Sequence, residues 1–388
     1  MKTKPKSNLR VAFVVPHIFI SRDILPHVIF SPGKLALSLT AELDRHGVDV
    51  TLFTPGPADT SLSNTTADMS YFEAELEGRG DTYLDLLKKH PFTFISLARQ
   101  VQSELIAKVY QMANAGEFDI VHIYTNEEDT ALPFADLCRV PVVFTHHDPF
   151  NFLVKYKSVF PKYKHLNWLS MSYAQRKSMP PDTNWVGNVY HGLDTAEWQP
   201  RLNGDSEYVA YLGRIVEPKG VHFAISAVKQ YNATAQKPLK LKIAGKHYAG
   251  HSKDTYWQNV IEPELGGDIE YVGHISNHIE KNAFLAGAKA LIVPSSFDEP
   301  FGMVTIEALA CGTPVIGSNH GATPELLQLG NSGFITEPNG IADALKRINT
   351  IQRSECRSIA ENHFSLERMA SDHIDSYNRI LKAQQAEL

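Results

Sequence analysis

Two glutamates separated by seven residues, Glu299 and Glu307, stand either side of the break Pro300-Phe301-Gly302. Upstream, Gly213-Arg214 is followed after four residues by Lys219-Gly220. A guanidinium grips phosphate oxygens in a fixed fork, and an ammonium adds a point charge. Beside free helix amides, such a pair would stabilise a departing diphosphate, whose charge grows as the bond to it breaks. Taken alone, the glutamates also fit an ordinary strand-helix unit with a solvated side chain, and the basic pair an exposed loop.

The elements around them limit what they can do. Ala290 to Val293 is a short apolar run that ends at Pro294-Ser295-Ser296, and it reads as a buried strand. Met303 to Ala310 holds no breaker and contains good helix formers, so Pro300-Phe301-Gly302 opens a helix. Gly312 closes it, and Pro314 leads into the apolar pair Val315-Ile316. Glu299 therefore falls in the loop at the strand's C-terminal end, and Glu307 inside the helix. In an open α/β sheet, ligands bind beyond the strand C-termini, where free amides face an anion. The amides of Phe301, Gly302, Met303 and Val304 are those donors. Tyr208 to Leu212 reads as the strand before Arg214 and Lys219, and Val221 to Gln230 as the helix after them.

His146-His147-Asp148 follows the apolar run Val142 to Thr145. Neighbouring side chains on extended chain point opposite ways, which argues against one ion held by all three. His247 with His251, and His274 with His278, have i,i+4 spacing but lack the glutamate of an HExxH helix, and they read as structural. Gly273 to Ile275 is assigned to a base pocket through backbone contacts. No Asp-x-Asp triplet occurs, so no metal-bridged diphosphate is expected.

Apolar runs alternate with helical stretches along the whole chain, which implies parallel sheets. Leu9 to Val15, a helix from about Leu35 to His46 and Val48 to Phe53 make a first strand-helix-strand unit, without the G-x-G-x-x-G fingerprint of dinucleotide sites. Residues 55 to 80, rich in Ser, Thr and acidic side chains, read as an irregular solvated connection. Asn151 to Trp168 interleaves lysines with aromatics, a pattern that fits an anionic or membrane surface and equally a solvated face. The 388 residues suggest two or three domains. A net charge of −6 gives no reason to expect nucleic acid. Three scattered cysteines propose no disulfide framework and fit a reducing cytoplasm. The apolar run after the basic N-terminus is too short for a signal h-region, and no window reaches the ~18 apolar residues of a membrane span.

The string Glu299-Pro300-Phe301-Gly302, with Glu307, Ala308, Ala310, Gly312, Pro314 and Val315, resembles the signature of the retaining, nucleotide-sugar-dependent glycosyltransferases of family 4. The resemblance implies an α/β chain of the GT-B class, with two Rossmann-like doubly wound domains facing a central cleft. It places an acceptor-side domain at 1–192, a nucleotide-sugar domain at 193–365, and a helix at 366–388 that packs back on the first. By the same resemblance Glu299 binds donor-sugar hydroxyls, Glu307 the ribose, and Arg214 and Lys219 the diphosphate. His147 takes the position of the family's T-x-H histidine at the cleft. Gly33 takes one of its paired glycines beside the donor, where this chain has Pro32-Gly33. His191-Gly192-Leu193-Asp194 resembles the family's interdomain turn.

The implied activity is metal-independent, cofactor-free transfer of a hexosyl unit from an NDP-sugar to an unidentified acceptor, be it a glycan, a lipid-linked molecule or a small molecule. Peripheral membrane contact is expected only if the acceptor is a lipid. The alternatives are a sugar-nucleotide-binding protein without turnover, or a same-fold epimerase or phosphorylase. The phosphorylase would need a free phosphate site or pyridoxal phosphate.

Overall fold

The computed structural model describes residues 9–28, 30–125, 130–203, 206–247 and 254–387. They form two compact units, Met1–Met171 with Arg176–Val189 and Met369–Leu388, and Ser172–Gln175 with Tyr190–Arg368.

The first unit is built on a seven-stranded parallel sheet. Its strands are β1 (Arg10–Val14), β2 (Asp49–Thr54), β3 (Ser63–Thr66), β4 (Ile120–Thr125), β5 (Val142–His146), β6 (Asn167–Ser170) and β7 (Trp185–Asn188), in the order β3-β2-β1-β4-β5-β6-β7. Parallel strands are covered on both faces, so the central ones must be apolar throughout. Val11, Ala12, Phe13 and Val14 of β1 are fully buried, as are Val143 and Phe144 of β5. Burying each large apolar side chain contributes roughly 1.5–3 kcal/mol.

Two readings of this unit need correction. The polar stretch 55–80 holds the edge strand β3 and a helix, Ser70–Arg79. An edge strand pairs on one side only, so no apolar alternation marks it. Asn64 secures it instead, donating to Leu52 O at 3.1 Å and Thr54 Oγ1 at 2.8 Å. The first helix runs Ser31–Arg45, not from Leu35, because Pro32 suits a first helical turn. Gly33 is therefore helical and buried, and a Cβ there would press on the Phe30 ring.

The C-terminal helix Leu366–Glu387 buries Met369, His373, Tyr377 and Ile380, one stripe at helical spacing. Tyr377 Oη lies 2.7 Å from His122 Nδ1, and Thr145 Oγ1 lies 2.8 Å from His122 Nε2. A neutral imidazole has one donor and one acceptor, which two hydroxyls satisfy.

The second unit carries β8 (Tyr208–Leu212), β9 (Lys240–Ala244), β10 (Ile269–Gly273), β11 (Leu291–Val293), β12 (Val315–Gly317) and β13 (Gly333–Ile335), all parallel, in the order β10-β9-β8-β11-β12-β13. The order turns back between β8 and β11, the switch point of a doubly wound sheet. Ser172–Gln175 lies within the stretch read as the first domain yet joins this unit, for a physical reason. The Glu325 carboxylate accepts from the amides of Tyr173 (2.9 Å) and Ala174 (3.0 Å), and Ser172 Oγ donates to Pro300 O at 2.6 Å. Among the described residues no helix is long and apolar enough to cross a membrane.

Two first-unit histidines make stability pH-dependent. Burial, then the Arg99 charge, pushes His17 down to about 4, and burial, then His373, holds His122 well below the ordinary value. The unfolded chain binds these protons near pH 6.5, so the contribution is complete above that pH and shrinks as pH falls toward 4. His17 alone would remove up to about 3 kcal/mol over that window. Thermal midpoints should fall between pH 7 and pH 5, and a flat or rising midpoint would contradict this.

Candidate active site

In the second unit, the loop after β8 carries Arg214 and Lys219, and the loop after β11 carries Glu299. These strands are neighbours at the switch point, so the two loops leave the sheet side by side. Lys219 Nζ donates to Glu299 Oε1 at 2.7 Å, with the side chains 14% and 21% exposed. Charges so withdrawn from water need a partner, because removing either one strands the other. The ammonium also lies 5.2 Å from the centre of the Phe297 ring. Tyr211, Ser295 and Val304 line the same recess as Lys219 and Glu299, at the C-terminal ends of the strands.

Backbone contacts hold the two loops together. Ser296 N donates to Pro218 O at 2.8 Å. Gly220 adopts φ 72°, and a Cβ on it would overlap Pro294 O, so glycine is required twice over. From the other side, Ala322 N donates to Glu299 O at 3.0 Å, and Gly321 N to Asp298 Oδ1 at 2.9 Å.

Gly302, at φ 94°, turns the chain into the helix Met303–Ala310, and its carbonyl accepts from Thr305 N at 3.0 Å. The first amides of a helix have no partner within it. Met303 and Val304 are half-buried there. The Phe301 side chain is buried, its ring 4.8 Å from that of His191 and 6.2 Å from that of Phe364. What Phe301 can offer a ligand is its backbone.

Arg214 is exposed, and its guanidinium has no ion pair among the described residues. Its carbonyl accepts from the Tyr211 hydroxyl at 2.9 Å. Glu307 accepts at Oε1 from Lys281 Nζ at 2.6 Å. Gly273 ends β10 at φ 85°, just past a register shift, and its carbonyl accepts from Gly245 N at 2.9 Å; Ile275 beyond it is half-buried. Burial, then Lys246 and Lys281, lowers the His274 pKa.

The remaining candidates lie apart from this recess or in the first unit. His247 is bonded to Asp254 at 2.8 Å and stacked on Trp257 at 4.1 Å, while His251 lies outside the described residues. His278 Nε2 donates to Glu197 O at 3.1 Å. In the first unit, His146 is enclosed by Phe150 and Phe160, and His147 meets the Tyr124 ring edge-on at 4.3 Å. Adjacent on extended chain, the two imidazoles turn to different surroundings.

Sequence reasoning misses Lys281, Tyr211 and Gly321. Gly321 carries a weak signal, a glycine shortly after an apolar run. Lys281 carries none, since its partner lies 26 positions away.

Comparison with known families places this arrangement. Residues 194–365 match the family Glycosyl transferases group 1, and residues 33–179 match Glycosyltransferase Family 4. The chain belongs to the family 4 glycosyltransferases of the group 1 type. Among the relatives of this family 4 chain are a glycogen synthase of Mycobacterium tuberculosis (31% identical, 47% of this chain and 44% of that one) and an O-antigen chain mannosyltransferase B of Escherichia coli (28%, 44% and 45%). The chain thus spans about half the length of these relatives. A phosphatidyl-myo-inositol mannosyltransferase of Propionibacterium freudenreichii is 24% identical over 87% of this chain and 86% of its own. Solved structures show the fold of the family 4 chain to be GT-B. Sucrose-phosphate synthase of Thermosynechococcus elongatus superposes with TM-score 0.70 at 18% identity, over 97% of this chain and 100% of that one. HepE of Anabaena, solved with UDP and glucose, gives 0.64 at 17%, over 96% and 100%.

Gly321 and Gly267 allow a direct check on what fixes the Glu299 loop. Their φ angles are 56° and 57°, but a Cβ on Gly321 would overlap the Glu299 backbone, whereas one on Gly267 meets open space. Gly267→Ala should cost only the backbone term, about 1–2 kcal/mol. Gly321→Ala should cost clearly more in denaturant unfolding. Equal losses would show that the contact with the Glu299 backbone is slack.

Proposed function

We propose that the chain is a retaining hexosyltransferase that moves a hexosyl unit from a nucleoside-diphosphate sugar to an acceptor hydroxyl. The observation that carries this reading is the Lys219–Glu299 bridge at the switch point, beside the opening of the Met303–Ala310 helix. An anionic ligand seated there would meet Lys219 and the free amides together, with Arg214 exposed on the same loop as Lys219 and without an ion pair among the described residues. Anabaena HepE, which shares the fold, was solved in complex with UDP and glucose, and this supports the same donor class here.

In this reading Arg214 and Lys219 take the growing charge of the diphosphate, and Glu307 accepts from the ribose hydroxyls. Gly273 and Ile275 face the base, and His147 and Gly33 keep the roles that the family resemblance gives them. Glu299, held at Oε1 by Lys219, acts as an acceptor for donor-sugar hydroxyls rather than as a free nucleophile. The acceptor oxygen bonds to the anomeric carbon on the face from which the diphosphate departs. The electron pair of the broken carbon–oxygen bond leaves with the diphosphate, and the acceptor proton passes to a departing phosphate oxygen. Cationic side chains and amides meet the diphosphate charge, so the reaction is proposed to need no metal.

The two glutamates should fail differently when assayed in EDTA with the preferred nucleotide sugar. A ribose contact is alike in ground and transition states, so Glu307→Ala should raise KM and leave kcat near the parent value. Glu299→Gln should lower kcat about a hundredfold, since it loosens the pose of the reacting sugar. Equal, purely KM effects would contradict the roles, and activity restored only by Mg²⁺ or Mn²⁺ would contradict metal independence. Donor binding without turnover in the parent chain would favour the binding-protein alternative.

A further inference from the structure

Glu307 is not alone on its helix face. Lys281 reaches it from the neighbouring helix His278–Ala286, which follows β10 as Met303–Ala310 follows β11. The Lys281 and Glu307 side chains are 27% and 12% exposed. Lys281 is itself confined, with its ammonium 5.6 Å from the centre of the Trp198 ring. Trp198 is buried and packs edge-on against His278 at 4.5 Å. Asn277 caps the helix that carries Lys281, its side chain accepting from Ile279 N at 2.7 Å. The ammonium is thus fixed by its own helix, by an aromatic face and by the carboxylate.

A carboxylate has two oxygens, and their use here is unequal. Oε1 of Glu307 is taken by Lys281, and no other side-chain bond to Glu307 is found among the described residues. A bond at one oxygen fixes the rotation of the group and leaves the second oxygen as the acceptor.

We propose that Lys281 is a positioning residue for nucleotide recognition, holding Glu307 Oε1 so that Oε2 is presented to the ribose hydroxyls of the donor. This rests on the donor reading above and adds a residue to it. A lysine there would let the site tell ribonucleotides from 2′-deoxyribonucleotides, because a correctly aimed charged acceptor loses a bond when the 2′-hydroxyl is absent. Were Lys281 only a staple between two helices, its loss would lower stability and leave that discrimination intact.

The test is calorimetric titration of the full chain with uridine, guanosine and adenosine diphosphates and their 2′-deoxy counterparts. The parent should favour the ribose form of its preferred base by about tenfold, the scale of one hydrogen bond to a charged group. Lys281→Met should bring that ratio to within about twofold, whereas Lys281→Arg should keep most of it. Lys281→Leu, which removes the donor as methionine does, gives the same reading if the methionine variant does not fold. A parent-like ratio in the Met or Leu variant would overturn the positioning role and leave the donor reading standing. An Arg variant as indiscriminate as the Met variant would overturn it too, because charge at this position would not be what aims Glu307. If the parent binds none of the six nucleotides, the donor reading falls and this inference falls with it.

Discussion

Opposite charges withdrawn from water must find each other, and the second unit is arranged so that Lys219 and Glu299 do. Their loops come from β8 and β11, strands that are neighbours in the sheet although 80 residues separate the two side chains. The meeting depends on glycine. Gly220 lets one loop pass against Pro294 O, and Gly321 lets a third loop lie on the Glu299 backbone. Without these approaches the bridge would lose its geometry, and a partly buried ion pair with poor geometry does not offset its own desolvation.

The same design recurs one helix away. Glu307 is held by Lys281 as Glu299 is held by Lys219, so each carboxylate has a cation on one oxygen. Burial, then the Glu307 charge, pushes the neighbouring Cys311 thiol up to about 12, which leaves it protonated and unreactive at neutral pH. In the proposed function, the other oxygen of each carboxylate is what is offered to the hydroxyls of the donor.

Much of this arrangement is legible in the residues themselves. The central strands are runs of apolar residues because parallel sheets are covered on both faces, so β1, β5, β8 and β11 stand out. The helix Met303–Ala310 is bounded by its breakers, and they also place the Glu299 loop. What the pattern hides depends on contacts distant in sequence or on polar backbone pairing. The edge strand β3 lacks an apolar face, and Asn64, not a hydrophobic pattern, ties it to β2. The attachment of Ser172–Gln175 to the second unit rests on Glu325, about 150 residues downstream, whose carboxylate receives two amides. Phe301 reads as part of a ligand-facing string, but its ring serves the core, because a loop so tightly held needs an apolar anchor.

The central claim is that the charges at the switch point serve a departing diphosphate and do more than staple two loops. Contacts to a leaving group strengthen toward the transition state, so they should weigh more on turnover than on resting affinity. The decisive measurement is kcat at saturating donor for Lys219→Ala and Arg214→Ala, set beside the calorimetric affinity of each variant for the free nucleoside diphosphate. Each variant should lose about two to three decades in kcat, more than its loss of affinity explains, with Arg214→Lys between parent and alanine. Turnover at the parent rate in both alanine variants would contradict the account.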